Sequence, residues 1–154
     1  MTDRNEQPPL HDLPLLLRGP EVATVMRVSN QHVRRLARSG ALPASRISGD
    51  RSEWLYDKRR ILAVIEGGDP WADLPPLLSD APEVLTAAET AEFLRLSHPF
   101  VVELANEGAI GGFRTKGDRG DWRFNRRRIA ALAVPTNRQA GEVSGGGMTG
   151  TGGD

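Results

Sequence analysis

Ser29-Asn30-Gln31-His32-Val33-Arg34-Arg35-Leu36-Ala37-Arg38-Ser39-Gly40 carries a helix start, a helix face and a helix stop in twelve residues. Ser29 is an N-cap type whose hydroxyl can accept from an orphan backbone N–H, and Gly40 suits the left-handed position just past a helix end. At 100° per residue Val33, Leu36 and Ala37 fall on one face, while Gln31, Arg34, Arg35 and Arg38 point away from it. Upstream, Pro20 fits a first helical position, and Val22, Ala23 and Met26 recur at helical spacing over about two turns. Two short helices joined by a sharp turn make a helix-turn-helix arrangement.

Downstream, Ser45-Arg46-Ile47-Ser48 and Glu53-Trp54-Leu55-Tyr56 read as strands flanking the turn Gly49-Asp50-Arg51-Ser52. Asp57 is an N-cap type introducing a third helix with Ile61, Leu62 and Ile65 on its apolar side. The order is helix, helix, hairpin wing, helix.

The whole unit occurs twice. Displacing the sequence by about 68 positions matches about 19 of 49 residues without a gap, including Glu21/Glu89, Arg27/Arg95, Ser29/Ser97, Gly40/Gly108, Asp50/Asp118 and Trp54/Trp122. In the second unit Thr86 caps the first helix, Thr90, Ala91 and Leu94 form its buried face, and Asn125 introduces a third helix with Ile129, Ala130 and Ala133. The predicted fold class is mainly α with small β-hairpin wings, as tandem winged helix-turn-helix modules at 15–66 and 85–134. A polar, Pro-rich segment, 1–14, precedes them and is read as disordered, with Leu13, Leu15, Leu16 and Leu17 apolar enough to pack on the first module. An acidic Pro/Gly connector, 67–84, is read as a flexible coil that lets the modules reach adjacent turns of a duplex. The Gly-rich stretch 135–154 is read as a disordered tail.

Net charge is zero, from 20 basic and 20 acidic residues, but it is segregated. Residues 18–66 carry about +5, the connector about −4 and residues 85–134 about +2. With no cysteine and with His11, His32 and His98 scattered, no disulfide, thiolate or histidine metal site is expected. The chain shows no apolar run of membrane length and no signal-type start, so a cytoplasmic location is expected. No constellation of nucleophile and base, paired carboxylates or phosphate-cradling glycines stands out, and neither an enzyme nor a cofactor is expected.

The run Leu85-Thr86-Ala87-Ala88-Glu89-Thr90-Ala91, followed by Leu96-Ser97, Gly108-Ala109-Ile110 and a basic hairpin, resembles the bacterial and phage excisionase-like, MerR-related winged helix-turn-helix family. The resemblance implies binding of double-stranded DNA, with the second helix in the major groove and the wing on the backbone or minor groove, in phage excisionases, small transcription regulators or antitoxins. The second module departs from the family pattern at Gly111-Gly112, where a Pro commonly follows the helix, and at Glu103, where a base is frequent.

The candidate DNA contacts on the second helix of the first module are Gln31, Arg34, Arg35 and Arg38, whose side chains suit base edges and phosphate. Arg46 and Arg51 lie on the first wing, and Arg114, Lys116 and Arg119 on the second. Lys58, Arg59 and Arg60, with Arg126, Arg127 and Arg128, occupy first turns of helices, where cations oppose the helix dipole, and phosphate pairing is the expected compensation. Trp54 and Trp122 are read as core anchors. In the second module Pro99, Val102, Glu103 and Asn106 replace the cationic set, so Pro99, Phe100 and Val102 are candidates for contact with a protein partner such as an integrase, toxin or polymerase. The alternative function is therefore an antitoxin or phage adaptor.

Overall fold

The computed structural model describes residues 12–47 and 53–138. Each module opens on a short strand that the hydrophobic pattern did not announce. β1 (Leu16–Arg18) leads directly into α1 (Gly19–Met26), which turns into α2 (Asn30–Ser39). β2 (Leu55–Asp57) follows and runs into α3 (Lys58–Glu66). The second module repeats this as β3 (Val84–Thr86), α4 (Ala87–Leu94), α5 (His98–Asn106), β4 (Phe113–Lys116), β5 (Arg119–Asn125) and α6 (Arg126–Ala131). β1 pairs antiparallel with β2, and β3 with β5, which pairs with β4. Among the described residues of the first module, the outer wing strand is represented by a bridge between Ser45 and Leu55. The tip, with Arg51, lies outside the described residues.

The expected caps form. Ser29 Oγ accepts from His32 N at 3.0 Å, and Gly40 takes φ +81°. Thr86 Oγ1 accepts from Glu89 N while Glu89 Oε1 accepts from Thr86 N, satisfying two orphan donors reciprocally. Arg27 and Arg95 both end their helices at φ +61°, a left-handed position unusual for a side chain with a Cβ.

Leu17, Val22, Ala23, Val33, Ala37, Leu42, Tyr56 and Ile61 form the core of the first module. Burial raises the Tyr56 hydroxyl well above the ordinary phenol range. Leu62 and Ile65, read as core, are 39% and 49% exposed, and Ile61, with Val64 packed beside it, carries the apolar side of α3. Leu85, Ala91, Leu94, Val101, Leu104, Phe124 and Ile129 form the core of the second module, and Leu16, Ile47 and Leu55 of the first belong to this cluster. Strand pairing explains why: Leu17 and Tyr56 are partners on the inner face of the β1–β2 sheet, so their neighbours Leu16 and Leu55 project outward. That outer face is covered by the second module. Above it, Arg95 Nη1 and Nη2 bond the two carboxylate oxygens of Glu21 at 2.7 and 2.9 Å, and Nη1 also donates to Leu16 O.

The connector is structured too. Arg60, 8% exposed, donates from Nη1 to Pro70 O and Ala72 O, and Arg59 Nη1 donates to Pro75 O. Arg126 Nη1 donates to Ser79 O and Ala81 O. Leu77, Leu78 and Ala81 pack on the second module's cluster. The expectation of a flexible coil is therefore corrected: guanidinium groups gather its carbonyls, which proline-rich backbone cannot satisfy by a ladder of its own. The start of the 135–154 tail is corrected as well. Asn137 Nδ2 donates to Ala37 O and Leu42 O, its Oδ1 accepts from Ala44 N, and Thr136 N donates to Ala44 O, pinning the chain beyond α6 to the first module. At the other end Leu13 packs on the first core, and its carbonyl accepts from Lys58 Nζ.

Three aliphatic side chains buried at about 1.5–3 kcal/mol each outweigh one partly exposed ion pair, worth about 1 kcal/mol. Leu55→Ala should lower unfolding stability by about 2–4 kcal/mol and Arg95→Ala by about 1 kcal/mol, read by denaturant melts. Arg95 holds the Glu21 carboxyl below its ordinary range, so this contribution is present above the unfolded carboxylate pKa and disappears as pH falls through the folded one. The stability difference between wild type and Arg95→Ala should accordingly shrink in acid. Asn137→Ala removes three hydrogen bonds to backbone and should cost about 1–3 kcal/mol in the same melts.

Candidate nucleic-acid interface

α2 presents the predicted surface. Val33 and Ala37 are fully buried and Leu36 is half-buried, leaving Gln31, Arg34, Arg35 and Arg38 exposed on the opposite side. Arg35 Nη1 lies 3.3 Å from His32 Nδ1, a local contact that leaves the other nitrogens of the guanidinium for a ligand. Arg34 and Arg38 form no ion pair among the described residues. The charges of Arg34, Glu53 and Arg46 all reach the Tyr56 hydroxyl, which places the cationic face of α2 beside the root of the wing.

At that root the Arg46 guanidinium lies 4.3 Å from the centre of the Trp54 ring, and the second module repeats the arrangement with Arg114 5.6 Å from Trp122. Both tryptophans are half-buried at the margins of their cores. They anchor the core as expected and also carry an arginine each, a pairing visible in the match of Arg46/Arg114 with Trp54/Trp122. Arg114 Nε donates to Gly120 O, and Trp122 Nε1 donates to Asn106 Oδ1, joining the second wing to the end of α5. Lys116 and Arg119, partners across the wing tip, are exposed.

Four of the six cations at the third-helix starts are engaged within the chain. Lys58, Arg59, Arg60 and Arg126 hold the N-terminal segment and the connector, as described above. Asp57, buried at the N-cap of α3, accepts from Arg59 N and pairs with Arg59 Nη2 at 2.8 Å. The rule against cations at a helix start is thus offset by a buried carboxylate and by carbonyl dipoles, without an external polyanion. Arg127 and Arg128 remain at the surface. Arg128 lies across Gly111, where a Cβ would come within 2.5 Å of Nη1, and a Cβ at Gly112 would meet Arg123 O and the Phe124 ring at 2.8 Å. Gly112 therefore answers to close packing, whereas at Gly111 the neighbour is the movable end of an exposed side chain.

α5 lacks a cationic face: His98, Pro99, Glu103 and Asn106 are its exposed residues. Phe100 and Val102, read as exposed protein contacts, are half-buried against the second module's own core, and only Pro99 of that set is fully outside. The register explains the difference, since the Phe100 and Val102 side chains flank the buried Val101 and cover the core edge.

Among the described residues no helix is long and apolar enough to cross a membrane, and no cluster of His, Asp and Glu is arranged to hold a metal. Neither a curated protein nor a solved structure matches the chain. A family model described as a helix-turn-helix domain matches twice, over residues 16–69 and 84–133, which together are more than half the chain and coincide with the two structural repeats. The chain belongs to this excisionase-like helix-turn-helix family of DNA-binding modules, of which it carries two in tandem.

Proposed function

We propose that the chain is a non-enzymatic, sequence-specific double-stranded DNA-binding protein, a small transcription regulator or an excisionase-type directionality factor, in which the first module is the principal reader. The observation that carries this is the outward face of α2: one polar and three cationic side chains on a well-capped helix whose other face is locked in the core. Arg pairs bidentately with guanine or clamps phosphate, and Gln pairs with adenine, so this face suits a major groove. Arg46, on its tryptophan platform, is suited to the adjoining backbone, and the exposed Lys116 and Arg119 of the second wing to a further phosphate contact. The two modules face one another head to tail and share no two-fold relation, which favours an asymmetric site over a palindrome.

Titration of a labelled duplex of about 30 base pairs at several salt concentrations tests this. Wild type should bind with a steep negative salt slope. Arg34→Ala and Arg38→Ala should each weaken binding by about fivefold to a hundredfold and flatten the slope, whereas Arg126→Ala should lower thermal stability and leave the slope unchanged. Equal affinity and slope for wild type and the α2 variants would refute the assignment.

A further inference from the structure

The contact between the modules is heterologous: one surface of the first module meets a different surface of the second. The accepting surface is the outer face of the β1–β2 sheet with Glu21, and the donating surface includes Arg95 at the end of α4, beside Leu96, which packs on the shared cluster. Because the modules repeat, each surface has a counterpart elsewhere on the chain. The counterpart of the donating surface is Arg27 and Val28 at the end of α1. Both are exposed, Arg27 has the same φ of +61° as Arg95, and it forms no ion pair among the described residues. The counterpart of the accepting surface is the outer face of the β3–β5–β4 sheet. There Val84 stands in the place of Leu16 and is 46% exposed, and Phe113 stands in the place of Ser45 and is 51% exposed. Glu89 occupies the place of Glu21 and makes the same capping bond through Oε1. Glu21 makes that bond to Arg18 N while also holding Arg95, so the cap leaves such a carboxylate able to take a guanidinium.

We propose that chains associate head to tail, with Arg27 and Val28 of one chain seated on Val84, Phe113 and Glu89 of a second copy, repeating between chains the contact that joins the modules within one. A heterologous contact repeats from chain to chain, so the product is a ring or an open series larger than a dimer. Arg123 and Thr115 stand where the accepting face of the first module has Leu55 and Ile47. The contact between chains therefore buries less apolar surface than the internal one, and association depends on concentration. The proposal is independent of the DNA reading, since it rests on the internal interface alone.

Sedimentation velocity of the full-length protein from micromolar to millimolar concentration tests it. Wild type should show a weight-average mass that climbs past the dimer. Arg27→Glu should shift this rise to concentrations higher by about tenfold, and Phe113→Asp, at an exposed side chain, should do likewise with an unchanged circular dichroism spectrum. A chain carrying Arg27→Glu together with Glu89→Arg presents the reversed ion pair at every junction and should recover self-association. A wild-type mass that stays at the monomer, a rise that stops at the dimer, or a rise unaffected by Arg27→Glu and Phe113→Asp would each overturn the proposal.

Discussion

The outer face of the β1–β2 sheet is the constraint on which the rest of the structure depends. A two-stranded sheet with one face on its own small core leaves Leu16 and Leu55 facing water, and so short a sheet is marginal by itself. The second module removes that face from solvent, and Arg95 fixes its rotation by gripping Glu21 and Leu16 O. Once this face is covered, the connector must run back along the pair of modules, and the third-helix arginines supply the donors that its carbonyls need. Asn137 then closes the arrangement by returning to the backbone between α2 and the wing. α2 is thus braced from behind by elements far away in sequence.

The charge distribution divides along the same lines. Arg59, Arg60 and Arg126 at helix starts serve the fold, because Asp57 and the connector carbonyls lie within their reach. Arginines on α2 are exposed on a face with no acidic neighbour in the helix, the face that the proposed reading assigns to a polyanion. α5 lacks that face while keeping its caps and core, so the second module's clearest structural role is to cover the first.

The helices, their caps and the repeat were legible in the sequence because they depend on local rules: Ser29 and Ser97 before an apolar period, Gly40 after it, Thr86 with Glu89 three residues on. The exposed polar and cationic face of α2 was legible for the same reason, since the placement of Gln31, Arg34, Arg35 and Arg38 follows from helical geometry alone. The strands β1 and β3 were missed because three residues are too few to show alternation, although the paired apolar residues Leu16-Leu17 and Val84-Leu85 ahead of each helix were a usable signal. The fate of Lys58, Arg59, Arg60 and Arg126 was not legible, because their partners are backbone carbonyls, which no side-chain pattern reveals. Packing between modules was hidden likewise: Leu16 and Leu55 look like the alternate positions of any strand until a partner covers them.

The most direct test of the central claim, that a braced first module reads DNA through α2, is amide chemical-shift mapping of the isotope-labelled full-length chain during titration with its duplex. The account predicts shifts concentrated over α2 and the root of the first wing, with α5 unperturbed and with the amides of Arg95 and Asn137 unchanged because the brace stays closed. Shifts centred on α5, or loss of the Arg95 and Asn137 environments on binding, would contradict it.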